Sequence, residues 1–340
     1  MKSPKNTIWI LLDSRKPGGI ESHTFELAKG LVRFGKRVVV VFLNNYGHHP
    51  LRSLLISQGI STISLDGSFF SLYKKANQKK PAIIHTHGYK AGIYGRIVAT
   101  TLDIPVVSTY HAGEISKGKL AIYTWLDRST AALADKVYTV SKSIKENIPT
   151  KSEIVNNFID TRNIKESHGN QIAFVGRLSQ EKGPDIFVKL ASMFPRHHFH
   201  IYGDGPCIKE LQSNATPNVV FHGQKNTMSD HWKNIGLLVM PSRHEGMPLA
   251  ALEAMAHGIP VIASDVGALS QLIEHGENGW INQPGNIEET RKLIFYWLTM
   301  SPDNQNKIKT EARYTINANF SQEKVIPKLI KQYHKLSHQL

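Results

Sequence analysis

A chain of 340 residues with 41% hydrophobic content has material for two ordinary hydrophobic cores. Its one cysteine, Cys207, excludes an internal disulfide and fits a reducing compartment, and no run approaches the ~20 apolar residues of a membrane span. The net charge of +14 is lopsided: residues 1–165 hold 24 Lys/Arg against 11 Asp/Glu, and the remainder 17 against 16. An anionic partner is therefore expected for the first half, whether membrane surface, phosphorylated substrate or nucleic acid; general solubility is the plain alternative.

The chain begins with an apolar run at residues 8–12 that Asp13 ends at once. It is too short for a signal-peptide core and reads as a buried strand over 7–12. A cytosolic or membrane-peripheral protein is the expectation. Further strands are predicted at 37–43, 82–85, 106–110 and 137–140, the last followed by Ser141, a suitable helix cap. Amphipathic stretches lie between them. In residues 21–34, Phe25, Leu27, Ala28 and Leu31 recur at helical spacing.

The second half repeats the alternation, with strands predicted at 171–175, 198–202, 219–222, 237–241 and 260–263. Its helices are expected at 184–193, 207–213, 249–256 and 288–299. This pattern predicts an α/β chain of two Rossmann-like domains with parallel sheets. The polar, aperiodic stretch 156–170 is the expected boundary. Ligands of such sheets bind at the carboxyl ends of strands, where every motif below falls.

Gly18 and Gly19 follow the first strand and permit close approach of backbone to a ligand at a helix start; a tight turn is the alternative. This is not G-x-G-x-x-G, and no acidic residue stands at the expected later point, which argues against a dinucleotide oxidoreductase. His111 closes STYHAG directly after a strand, where a structural histidine is the commoner case. Arg177 and Lys182, in FVGRLSQEKG, are two cations on a strand–helix loop that can converge on one pyrophosphate, or simply face solvent. Gly203 and Gly205 shape a turn after the next strand.

PSRHEGMPLAALEAMAHG carries the most information. Glu245 and Glu253 stand eight residues apart at the start of a helix, a spacing of roughly 12 Å if helical throughout. At that distance they share neither a proton nor a metal ion, but each suits a diol of one extended ligand. Gly246, Met247, Pro248 and Leu249 open the helix between them, with Pro248 expected at its first position and free N–H groups attractive to phosphate. The apolar neighbours of Glu253 offer it no local partner.

EGMPLAALE resembles the E-x7-E signature of the retaining glycosyltransferases of family 4. The glycine loop, the histidine after a middle strand and FVGRLSQEKG extend the resemblance over nearly the whole chain. It implies the GT-B fold: two Rossmann-like domains facing a central cleft, with the C-terminal helix crossing back to the N-terminal domain. The acceptor-binding domain would span 1–160 plus about 320–340, and the nucleotide-sugar domain 168–318. By this resemblance Arg177 and Lys182 bind the donor diphosphate, Glu253 the ribose and Glu245 the donor sugar. Gly203 lies near the nucleotide, and His111 contacts the sugar through its side chain or carbonyl. Gly18 and Gly19 approach the donor phosphates and acceptor. Where the family often reads G-G-x-x-E, this chain has Gly267, Ala268 and Gln271, which weakens assignment of that loop.

No cofactor is expected beyond the nucleotide-diphosphate sugar that serves as donor substrate, with UDP first and GDP next by family frequency. Histidines cluster at His48–His49, His85-x-His87 and His197, His198 and His200. None comes with a further carboxylate or cysteine in ligand spacing, so no metal is expected. Two stretches mix cations and aromatics: Phe69, Phe70, Leu72 and Tyr73 with Lys74, Lys75, Lys79 and Lys80, and Lys117 and Lys119 with Ile122, Tyr123, Trp125 and Leu126. Each suits an anionic membrane surface, or a core-facing helix with a solvated face. The expected acceptor is a lipid-linked or surface glycan at the inner face of a membrane, and nucleic acid is not expected as a partner. The alternatives are a sugar-nucleotide epimerase on the same scaffold, which needs no basic half, and a nucleic-acid-binding protein, for which no motif speaks.

Overall fold

A computed structural model describes residues 6–15, 18–111, 119–225, 227–337 and 340. The chain divides into two compact units, Met1–Asp160 with Gln322–Leu340, and Thr161–Ser321. The first holds strands β1 (Thr7–Leu12), β2 (Arg37–Phe42), β3 (Ser61–Ser64), β4 (Ile83–His87), β5 (Val106–Tyr110), β6 (Lys136–Thr139) and β7 (Glu153–Ile154). All pair in parallel, in the order β3-β2-β1-β4-β5-β6-β7. The second holds β8 (Gln171–Val175), β9 (Phe199–Tyr202), β10 (Val219–Phe221), β11 (Ile235–Met240), β12 (Val261–Ser264) and β13 (Gly279–Asn282). They form a parallel sheet ordered β10-β9-β8-β11-β12-β13.

The apolar runs account for the central strands. TIWILL of β1 and IGLLVM of β11 are buried throughout, as strands covered by helices on both faces must be. Short or polar strands escape such a reading: β3 is STIS, β7 only Glu153–Ile154, and β13 is GWIN. Pairing to a neighbour defines them, not their own pattern. β4 runs two residues beyond the predicted end, which takes in His87. Ser141 caps its helix, accepting a hydrogen bond from the Ile144 N–H.

The last helix, Gln322–Leu336, belongs to the first unit. Val325, Ile326, Leu329 and Tyr333 are buried in one core with Ile8, Ile10, Leu27 and Leu31. Gln322 fastens its start, donating to the Glu26 carboxylate at 2.8 Å and to the Glu26 carbonyl at 3.0 Å. The C-terminal helix therefore returns to the N-terminal sheet, as the family resemblance implied. Each sheet changes winding direction once, between β1 and β4 in the first unit and between β8 and β11 in the second. Loops diverge at such a switch point and leave a crevice at the carboxyl ends of the strands.

Candidate functional site

In the second unit, the switch point brings together the loops after β8 and β11. Lys182 ends a short 3-10 turn, Gln180–Lys182, and its Nζ lies 2.6 Å from Glu245 Oε2. Ser242 Oγ donates to the other carboxylate oxygen at 2.8 Å. The Glu245 side chain is 3% exposed, so both partners matter: a buried carboxylate is tolerated only when paired and hydrogen-bonded. The two loops are stitched together elsewhere too. Arg243 grips Asp185 with two bonds of 2.6 and 2.8 Å, a bidentate fork, and donates to the Gln180 carbonyl. Backbone N–H groups of Arg243 and His244 both donate to the Glu181 carbonyl.

Arg177 is exposed on the same loop as Lys182, and its charge helps lower the Glu181 pKa. Lys182 thus meets a carboxylate assigned on sequence to a different part of the ligand. Ser242 was missed, although it precedes Glu245 by only three residues; a lone serine in a loop carries no signal until its partner is known.

The helix itself is Leu249–Ala256. Pro248 occupies the capping position with extended backbone, one residue earlier than predicted, and Glu245 lies in the loop before it. Only the stretch from Leu249 to Glu253 is helical, so the roughly 12 Å spacing does not apply. Gly246, Pro248 and Glu253 are half-buried, while Met247 and Leu249 are buried. Glu253 is not without a partner: it accepts from Trp232 Nε1 at 3.1 Å. Trp232 lies 21 residues earlier, beyond the reach of a local reading.

Two glycines hold the frame by close approach. At Gly203, φ is +149°, and a Cβ would lie 1.8 Å from the Gly176 carbonyl oxygen. Its turn packs backbone to backbone against the end of β8, as the turn-shaping alternative requires. At Gly267, φ is +66°, and a Cβ would lie 2.3 Å from the Glu245 carbonyl oxygen. The Ala268 N–H donates to the Gly246 carbonyl at 2.8 Å, so the loop whose family pattern is altered still supports the glutamate segment.

In the first unit, β1, β4 and β5 deliver their loops to one place. Gly18 precedes the helix Gly19–Arg33 in extended conformation, and a Cβ at Gly19 would meet nothing within 4 Å. A Cβ at Gly18 would lie 3.1 Å from Glu21 Oε2, the end of a side chain, so no backbone contact demands either glycine. Lys16 and Pro17 of that loop lie outside the described residues. His111 is half-buried, and its Nε2 is 2.9 Å from His87 Nδ1. His23 packs on both, with ring centroids 5.3 Å from His87 and 4.6 Å from His111. Below them His85 shares a strand face with His87, and its two nitrogens are bonded to Tyr333 at 2.6 Å and Thr109 at 2.7 Å.

Burial drives all these histidines toward the neutral form. It lowers His23 to about 4 and His85 to about 3, and holds His87 and His111 well below 6.5, where neighbouring imidazoles add to the effect. A neutral imidazole offers one donor and one acceptor at fixed positions, suited to orienting hydroxyls.

The two basic–aromatic stretches differ. On Phe69–Lys79, Leu72 and Ala76 face the core and Phe70 is exposed. On Lys119–Ser129, Ile122, Tyr123 and Trp125 are all exposed, Trp125 at 66%. Lys117 lies outside the described residues, as does the side chain of Lys119.

Two doubly wound parallel-sheet units with the last helix returned to the first define the GT-B class of glycosyltransferases. Residues 17–163 match the Glycosyltransferase Family 4 profile, and residues 169–299 match that of Glycosyl transferases group 1. The chain belongs to the family 4-like GT-B glycosyltransferases. It is 30% identical over 288 residues to the Escherichia coli UDP-Gal:alpha-D-GlcNAc-diphosphoundecaprenol alpha-1,3-galactosyltransferase, spanning 72% of this chain and 74% of the relative. It is 27% identical over 259 residues to the Escherichia coli O-antigen biosynthesis glycosyltransferase WbnH, at 72% and 74%. Among solved structures, Anabaena Alr3699/HepE in complex with UDP superposes with a TM-score of 0.85 at 20% identity, covering 99% of this chain and 100% of that one. Among the described residues, no helix is long and apolar enough to cross a membrane.

Proposed function

We propose that this glycosyltransferase moves a sugar from a UDP-sugar, with GDP-sugars next in order, to a hydroxyl of a lipid-linked or surface-polysaccharide acceptor, with retention at the anomeric carbon. The observation that carries the reading is the Lys182–Glu245–Ser242 cluster at the switch point of the second sheet, next to the start of the Leu249–Ala256 helix. In this reading the second unit binds the donor and the first the acceptor. Arg177, Lys182 and the N–H groups around Gly246 to Leu249 take the diphosphate, Glu253 the ribose diol and Glu245 the sugar hydroxyls. Gly203 shapes the turn beside the nucleotide. His111 and the Gly18–Gly19 backbone line the sugar and acceptor side.

The acceptor oxygen bonds to the anomeric carbon as that carbon's bond to the donor phosphate breaks. The acceptor proton passes to the departing phosphate oxygen, on the same face of the sugar. Arg177 and Lys182 offset the charge that develops on the leaving diphosphate, so neither a resident metal nor a nucleophilic carboxylate is required. UDP is favoured because it is named in the E. coli galactosyltransferase and in the Anabaena complex. A lipid-linked acceptor is supported by the diphosphoundecaprenol substrate of the former. The basic first half and the exposed Ile122, Tyr123 and Trp125 support peripheral contact with an anionic cytoplasmic membrane face.

A thermal-shift screen of UDP, GDP, ADP, CMP and their sugar conjugates tests the donor. Stabilisation by UDP and UDP-sugars that disappears in Lys182→Ala is the expected result. No shift with any nucleotide would sink the assignment.

A further inference from the structure

His23, His87 and His111 are separated by 64 and 24 residues in the chain, yet each presents one ring nitrogen within 4.8 Å of the others. The first comes from the helix after β1, the second ends β4 and the third follows β5. We infer that these three imidazoles form a binding site for a single borderline divalent cation, Zn²⁺ above all, at the carboxyl ends of the first unit's central strands.

The donor set argues for that chemistry. Among the described residues the donor set is three neutral nitrogens with no carboxylate, which suits Zn²⁺, Co²⁺, Ni²⁺ or Cu²⁺ and does not suit Mg²⁺ or Ca²⁺, which require oxygen. Burial keeps the rings in the unprotonated state that a metal requires. Tetrahedral coordination with Zn–N bonds of 2.0–2.1 Å sets ligand nitrogens about 3.3 Å apart. The His87 Nδ1 to His111 Nε2 distance of 2.9 Å is already close to that value. Small ring rotations complete the site. A metal displaces the proton shared by those two nitrogens, and each ring keeps its own proton on the opposite nitrogen by a change of tautomer.

A second observation concerns His87. Its Nε2 is buried and has no hydrogen-bond partner among the described residues, so the hydrogen-bonded arrangement leaves this ring incompletely satisfied. Coordination through Nδ1 places the ring proton on this Nε2, so the convergence of the three rings, and not relief of the orphan, favours the site. His85 acts beneath the triad as a support: both its nitrogens are engaged, and its ring lies tilted against that of His87 with centroids 4.4 Å apart. Half-buried His111 gives access from solvent, and the fourth coordination position falls to water or hydroxide. The site is no part of the transfer chemistry. An occupied site withdraws His111 from the sugar, so the cation acts as an inhibitor; that consequence alone rests on the function proposed above.

The test uses untagged full-length protein freed of metal by chelation. Titration with CoCl₂ is expected to develop the visible absorption of tetrahedral Co²⁺ to one equivalent, to be bleached by ZnCl₂, and to be indifferent to excess MgCl₂ or CaCl₂. His23→Asn and His87→Gln are each expected to weaken Zn²⁺ binding at least about tenfold, since even supporting residues of metal sites contribute 10–100-fold. His48→Gln, in another histidine pair, is expected to change nothing. Absence of the tetrahedral band, or unaltered affinity in both triad variants, overturns the inference. Should either variant fail to fold, X-ray absorption of the zinc-loaded wild type decides: three imidazole nitrogens at about 2.0–2.1 Å support the site, and fewer overturn it. Tight zinc binding that leaves sugar transfer unchanged would uphold the site and remove His111 from its proposed role.

Discussion

Lys182 and Glu245, 63 residues apart, meet with Nζ 2.6 Å from Oε2, the carboxylate side chain 3% exposed and the ammonium 29%. In the function proposed above, this asymmetry has a use. The buried carboxylate holds the cation in place, while part of the cation stays open to a ligand. Preorganised charge of this kind stabilises a departing phosphate without reorganisation at the moment of reaction.

Lys182→Ala removes that charge and leaves Glu245 with Ser242 as its hydrogen-bond partner among the described residues. Transfer is expected to fall by about 10²-fold or more, as when one preorganised donor is lost from an active site. The melting temperature should drop as well, because a buried carboxylate is left unpaired. Adding Glu245→Gln to the same chain should restore the melting temperature and not the rate. If the single variant kept wild-type turnover, the assignment of Lys182 would fail.

Glu253 is anchored by Trp232 Nε1 at 3.1 Å. Glu253→Ala should abolish transfer and the stabilisation by UDP without unfolding the protein. Trp232→Phe keeps the aromatic packing and deletes one hydrogen bond, so its effect on nucleotide affinity should be about tenfold or less, near the ~1 kcal/mol of a typical bond. Isothermal titration with UDP separates the two: equal losses in both variants would contradict a direct contact by Glu253.

Gly267→Ala places a Cβ 2.3 Å from the Glu245 carbonyl oxygen at a φ of +66°. The left-handed conformation alone costs about 1–2 kcal/mol, and the collision adds to it. Calorimetry should show the melting temperature lowered by several degrees, with donor binding weakened alongside because the Glu245–Gly246 backbone must shift. An unchanged melting temperature would contradict the close approach.

Stability should fall on acidification. His85 has a folded pKa of about 3 against about 6.5 when unfolded. Below pH 6.5 the unfolded chain takes up a proton that the folded chain refuses. Stability is therefore fully present above 6.5 and lost progressively as the pH falls toward 3. Near pH 5 His85 accounts for about 1–2 kcal/mol of that loss, and His23, lowered to about 4, adds to it. Urea unfolding at pH 7.5, 6 and 5, with chelator present, measures the slope. A flat profile would show that these rings are not held neutral.

The central strands were legible because burial on both faces forces continuous apolar runs, as in TIWILL and IGLLVM. β3 and β13 were not, since STIS and GWIN become strands only by pairing with a neighbour. Pro248 was placed one position too far into its helix because residues on either side of a helix boundary share the same composition. The exposed face of Lys119–Ser129 was undecided on sequence: alternation of cations and aromatics says nothing about which side meets the core until the neighbouring elements are in place.

From its sequence alone, this chain is determined to be a two-unit α/β protein with family 4 glycosyltransferase motifs, because apolar periodicity and short-range motif spacing are local properties. Only the tertiary structure decided which motif residues meet. Trp232 finds Glu253 because the helix after β11 runs back past the turn that precedes that strand. Lys182 finds Glu245, and His23, His87 and His111 converge, because parallel strands separated by helices bring segments that are distant in the chain to the same end of a sheet.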